Sequence, residues 1–244
     1  NGTAVTENWY DAAGRRVAKR EGGVLTLYLW DGMEILATAN ADGTLREYYT
    51  RGPGVAGDVG SLVAEHSFAT GQTVFLHGNH RGDVVLATDS SGAAVGRYEY
   101  SAFGMPLASS GTYAPRFGFS SKERDASGLV YYGFRFYSPE LCRWITPDPI
   151  REDGGVNLYG FCGNNSIMFV DINGFVHISV YDGDDNSHHA NGIDFWQAAT
   201  RNSGCFTYDM GHDKDLKGLI NYLKKVKAWG FEIDSISIFD HGYV

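Results

Sequence analysis

Cysteine is scarce in this 244-residue chain: Cys142, Cys162 and Cys205 stand far apart, with no CxxC pair and no dense framework. Disulfides are therefore not expected to hold it together. Positive charge is in deficit too, 20 Lys and Arg against 29 Asp and Glu for a net charge of −9. That removes the basic footprint needed by a nucleic-acid or anionic-membrane binder. No stretch approaches the roughly 18 consecutive apolar residues of a membrane span. The opening NGTAVTENWYDAAGRR lacks the basic and apolar segments of a signal peptide, so the start reads as cut. The end reads as cut as well, just past the apolar strand in FEIDSISIFDHGYV. No glycine-rich phosphate loop or Walker lysine follows an expected strand, which counts against a nucleotide site. No cofactor is implied.

What is abundant is glycine, 32 residues, and aromatics at 14%. Tight turns between aromatic-rich strands are expected, and an all-helical chain is not. All six Pro, 25 of the 32 Gly and 11 of the 15 Tyr precede residue 175, so two regions are expected. The first repeats an aromatic strand, a glycine turn and a second strand. Examples are Tyr10-Asp11 before Gly14, Tyr28 before Asp31-Gly32, Tyr48-Tyr49 before Gly52, and Tyr98 and Tyr100 before Phe103-Gly104. Asp-Gly at 31–32 and 42–43 predicts hairpin turns, because both residue types tolerate positive φ. Such units bury a face only by pairing with neighbours, and most of the aromatics are expected to do that packing.

Beyond residue 175 the rhythm changes. VHISVYD reads as a buried strand and IDFWQAATR as a short helix. Leu216, Leu219, Ile220, Leu223, Val226 and Trp229 fall at helical spacing, between early Asp213 and Asp215 and late Lys224, Lys225 and Lys227, before Gly230. A closing apolar strand, IDSISIF, makes the order strand, helix, strand, an α/β unit with a parallel sheet.

The stretch Gly128 to Phe175, GLVYYGFRFYSPELCRWITPDPIREDGGVNLYGFCGNNSIMFVDINGF, resembles the Rhs-repeat-associated core of Rhs and YD-repeat proteins. It has that family's order: an aromatic run, an Arg-Trp and Asp-Pro element, an Asn-Leu-Tyr element, and a closing acidic turn. Upstream, YDAAGRRVAKR, YLWDG and HGNHRGDVVLATDSSGAAVGRYEYSAFG resemble YD repeats. The resemblance implies a mixed fold, a β-rich shell fragment followed by a small α/β domain. Repeats would occupy 1–127, the core 128–175, and the start of a variable C-terminal domain 176–244. It further implies a secreted or cell-surface bacterial protein with its own C-terminal domain as cargo. An immunity protein and a secretion machinery would be its partners. Many such cores cut themselves by an aspartyl-type reaction after the closing motif. Asp148 and Asp171 fall on the two acidic positions, and Phe175–Val176 is the expected bond. Ile172 and Phe175 stand where the family has Pro and Leu.

Peptide hydrolysis by this route needs one carboxylate as base and one protonated carboxyl as acid, a state two neighbouring acids reach by sharing a proton. Arg143 is expected to hold a carboxylate in a bidentate contact, and Asp153 is a second candidate for the partner acid. The blander alternative makes Asp148 a turn residue between prolines and Asp171 the start of a DINGF turn.

Five of the eight His lie after residue 175. Asp240-His241-Gly242 after an apolar strand resembles the His half of a caspase-like cysteine peptidase, with His241 assisting a thiolate beyond Val244. Asp182, Asp184 and Asp185 with His188 or His189 offer a divalent-metal alternative, and a solvated acidic loop is a third. A surface structural or adhesion protein, built from the same repeats without cleavage, is the competing reading of the whole.

Overall fold

Alternation of aromatic or aliphatic residues with polar ones makes the first hundred residues into strands, and recurrent glycine turns fold those strands back on each other. A computed structural model describes residues 6–55, 57–149, 151 and 156–174, with the backbone of 177–179. All belong to one unit, Asn1–Cys205. The α/β region expected after 175 lies outside the described residues, apart from the short strand at 177–179.

Ten antiparallel strands form one meander: β1 (Thr6–Tyr10), β2 (Arg16–Glu21), β3 (Val24–Asp31), β4 (Glu34–Ala39), β5 (Leu45–Arg51), β6 (Leu62–Ser67), β7 (Gln72–Gly78), β8 (Val84–Thr88), β9 (Ala94–Tyr100) and β10 (Pro106–Gly111). Each strand pairs with its neighbour in sequence. The β3–β4 turn is the Asp-Gly hairpin expected at 31–32, with Asp31 paired to Glu34 across it. The Asp42-Gly43 turn is the end of a longer device used five times in this sheet. Gly14, Gly43, Gly82, Gly92 and Gly104 each donate their N–H to the carbonyl three residues back, on Asp11, Asn40, Asn79, Asp89 and Ser101. Their φ angles lie between +75° and +85°, open to glycine at little cost. In several of these turns the Asp or Asn side chain also caps backbone N–H groups, as Asp89 does for Ser91 and Ala93.

The chain then turns back over one face of the sheet. Phe117 packs among Tyr28, Ile35, Tyr49, Leu62, Leu76, Val84, Ala87 and Tyr98, edge-on to Tyr49 at 4.9 Å. Each large side chain of this kind contributes about 1.5–3 kcal/mol by burial. A second sheet comes next, β11 (Glu123–Arg124), β12 (Val130–Tyr131), β13 (Phe136–Ser138) and β14 (Arg143–Trp144), and then a hairpin of β15 (Phe169–Asp171) and β16 (His177–Ser179). The core of this layer is aromatic: Phe119, Tyr132, Tyr137, Trp144, Phe161 and Phe169, with Val130 and Cys162. Tyr137 and Phe161 stack at 4.0 Å.

Charge as well as hydrophobic contact joins the two layers. Glu123 accepts from Arg16 at 2.6 Å, Lys19 at 2.8 Å, Arg116 at 3.0 Å and the Tyr28 hydroxyl at 2.8 Å. Asp125 pairs with Arg16 at 2.9 Å and Lys19 at 3.1 Å. Lys122 holds both oxygens of Asp58 at 2.5 and 2.6 Å.

Candidate active site

Three short elements of the second layer converge on one guanidinium. Arg135 lies just before β13 and shares the strand parity of the buried Tyr137. Its side chain therefore points inward, 3% exposed, with the guanidinium 4.1 Å over the Trp144 ring. Burial among aromatics leaves a cation few ways to be satisfied, and here two acids supply them. Asp148 approaches Nη1 to 2.8 Å and Asp171 approaches Nη2 to 3.7 Å.

Asp148 is set by the Pro-flanked turn after β14. Its N–H donates to the Leu158 carbonyl at 2.8 Å, and its own carbonyl accepts from Arg151 at 2.9 Å. The turn reading and the site reading thus describe the same residue. Asp171 closes β15 and is fully buried. Its Oδ1 accepts from the N–H groups of Asn173 at 3.1 Å and Gly174 at 2.6 Å, so it does begin the DINGF turn. Its Oδ2 is buried and has no hydrogen-bond donor among the described residues. Burial pushes the Asp171 carboxyl up to about 6, against the pull of Arg135 and the two backbone donors. A carboxyl in that range is partly protonated near neutral pH, and Oδ2, which faces Arg135 Nη2 at 3.7 Å, is the oxygen that accepts no hydrogen bond among the described residues.

The turn after Asp171 is fastened to the same arginine. Arg135 Nε donates to the Gly174 carbonyl, and the Phe134 N–H donates to the Asn173 carbonyl at 3.0 Å. Asp171 pairs with His177 across the β15–β16 hairpin. The residues joining them, 172–176, contain the expected bond, although Phe175 and Val176 themselves lie outside the described residues.

The structure therefore brings Asp148 and Asp171 together. Arg143 is on the exposed parity of β14, its guanidinium 4.4 Å over Tyr159, and among the described residues the cation that meets the two acids is Arg135. Asp153, His241 and the Asp182, Asp184, Asp185, His188 and His189 group lie outside the described residues. Among the described residues no helix is long and apolar enough to cross a membrane.

No known family profile matches the chain. It is 32% identical over 175 residues to the tRNA3(Ser)-specific nuclease WapA of Bacillus spizizenii, an alignment covering 68% of this chain and 7% of that protein. It is 35% identical over 105 residues to the toxin subunit YenC1 of Yersinia entomophaga, covering 41% of this chain and 11% of that one. The probable deoxyribonuclease RhsB of Dickeya dadantii is 30% identical over 180 residues, covering 65% and 12%. Among solved structures, the complex TcdB2-TccC3 matches with a TM-score of 0.56 and 25% identity over 70% of this chain and 9% of that one. The chain thus spans a small part, 7% to 12%, of these three relatives.

Proposed function

We propose, on the premise that this is an Rhs-type, toxin-like protein, that the chain cuts its own Phe175–Val176 bond and so frees the region after 175 from a β-sheet scaffold. The observation that carries the reading is the arginine-bridged acid pair, with Asp171 only four residues before the bond and one of its oxygens without a hydrogen-bond donor.

In this reading Asp148 takes a proton from water, and the water oxygen attacks the Phe175 carbonyl carbon. The proton on Asp171 Oδ2 passes to the carbonyl oxygen as the tetrahedral centre forms. Collapse of that centre returns this proton to Asp171, breaks the C–N bond and leaves a carboxyl on Phe175 and an amine on Val176. Both acids finish with their starting number of protons once the amine takes up the proton Asp148 received. Arg135 carries the compensating charge and, through Gly174, fixes the substrate segment of the same chain.

The similarity to a toxin subunit and to nucleases supports a wider reading. The sheet is part of a shell that contains a C-terminal effector, in a secreted or surface-exposed bacterial protein with an immunity partner and a secretion route. Mass analysis of freshly expressed protein tests the core of it. A cut between Phe175 and Val176 is expected in the parent chain and absent from Asp148→Asn and Asp171→Asn. A whole parent chain would instead favour a repeat protein of structural or adhesive role.

A further inference from the structure

The connection between β5 and β6 is longer than the other hairpin turns of the sheet, and it does not stay with the sheet. Arg51 and Leu62 still pair across it, while the residues between them, rich in glycine, cross to the second layer. Val59 is fully buried, the Gly60 N–H donates to Ser121 Oγ at 2.9 Å, and Asp58 holds Lys122. This anchoring carries Gly57 to the acidic turn. A Cβ placed on Gly57 would lie 2.6 Å from Ile172 Cγ2, with Cδ1 and Cγ1 of the same side chain at 3.6 and 3.7 Å. Ile172 is the residue directly after Asp171, in the turn whose N–H groups bind Asp171 Oδ1.

The turn is thus gripped on two sides. Arg135 and Phe134 hold its carbonyls at Gly174 and Asn173, and the backbone of Gly57 walls off the Ile172 side chain. The branched side chain matters here because its Cγ2 methyl meets the wall, which alanine would not reach, and glycine matters because any side chain would occupy the space Ile172 fills.

We propose that the Gly57–Ile172 contact is a positioning device for self-cleavage, fixing the 172–174 turn against the acid pair. The inference rests on the aspartyl reading above and adds the residues that seat its substrate. A displacement of about 1 Å at a reacting centre costs up to about a hundredfold in rate. A methyl group forced to 2.6 Å from Ile172 demands a shift of about that size, since apolar carbons settle near 3.5–4.0 Å.

The test measures the rate of appearance of the Val176 amine terminus in the full chain, with melting temperature and pH profile recorded beside it. Gly57→Ala is expected to slow cutting by about tenfold or more without moving the pH midpoint, because the titrating acids are untouched. Gly22→Ala is the control for backbone strain. Gly22 has φ +56°, against +54° at Gly57, and nothing within 4 Å of its would-be Cβ, so this variant should cut at the parent rate. Ile172→Ala should slow cutting, Ile172→Val should not, and Ile172→Ala added to Gly57→Ala should restore the rate by making room for the new methyl. Parent-rate cutting in a folded Gly57→Ala chain, or failure of the double substitution to recover, overturns the proposal. If Gly57→Ala does not fold, parent-rate cutting by Ile172→Ala overturns it. A parent chain that stays whole, or one cut despite Asp148→Asn, removes the aspartyl reading itself and this inference with it.

Discussion

Two buried acids of the second layer, Glu123 and Asp171, are solved in opposite ways. Glu123, at the junction with the sheet, meets three cations and a tyrosine hydroxyl. Burial pushes its pKa up, but Arg16, Arg116 and Lys19 outweigh it and bring the carboxyl down to about 2. Asp171 is as deeply buried, yet shares one guanidinium with Asp148 and keeps an oxygen without a donor, and burial wins there, lifting it to about 6. A saturated acid is a fastening. An undersupplied one is a stored protonation change, the property a proton donor requires.

The sharpest way to break this comparison is Glu123→Gln, which leaves Arg16, Lys19 and Arg116 buried around a neutral amide. The expected loss is about 3–5 kcal/mol of unfolding free energy by denaturant titration. A neutral result would mean that the junction is not fastened by charge. Asp171→Asn should act with the opposite sign at pH 8, removing a poorly paired buried charge and raising stability by about 1 kcal/mol, while abolishing cleavage.

The pH dependence sharpens the same contrast. Asp171 has a raised pKa in the folded chain, so its contribution to stability is full below the ordinary carboxylate value near 4 and fades as pH rises through about 6. Glu123 has a lowered one, so its contribution is present above the ordinary range and is lost as pH falls toward about 2. Between pH 8 and pH 5 the parent chain should therefore gain stability and Asp171→Asn should gain less. The smallest effect is expected at a turn cap, Asp89→Ala, which removes acceptor contacts to Ser91 and Ala93 on the exposed rim. Its melting temperature should fall least, and its cleavage should match the parent.

Much of the first region was legible in the sequence because strands and glycine turns are local. The Asp-Gly hairpin at 31–32 needs only its own residues. The five turns with Asp, Asn or Ser three positions before glycine obey an equally local rule, and the Asp42-Gly43 pair hid one of them. Motif order names Asp148 and Asp171 but not Arg135, the cation they share. Alternation carried the missing information: Arg143 adjoins the inward Trp144 and so faces out, and Arg135 stands two residues from the inward Tyr137. The Gly57–Ile172 contact joins residues 115 positions apart, and no local pattern announces such a meeting.

The meander has a kinetic corollary. Every strand of the large sheet finds its partner next door in sequence, so its hairpins close quickly, one after another. The aromatic layer can dock only once Arg16, Lys19 and the Gly57 loop are waiting for it, and Arg16 lies 107 residues behind Glu123. Folding should then finish with the seating of the acid pair, an order that pulsed hydrogen exchange would read as late protection of Asn173 and Gly174. Under the proposed self-cleavage, an incompletely folded chain would be unable to sever itself, and completion of the described sheets would have to precede the cut.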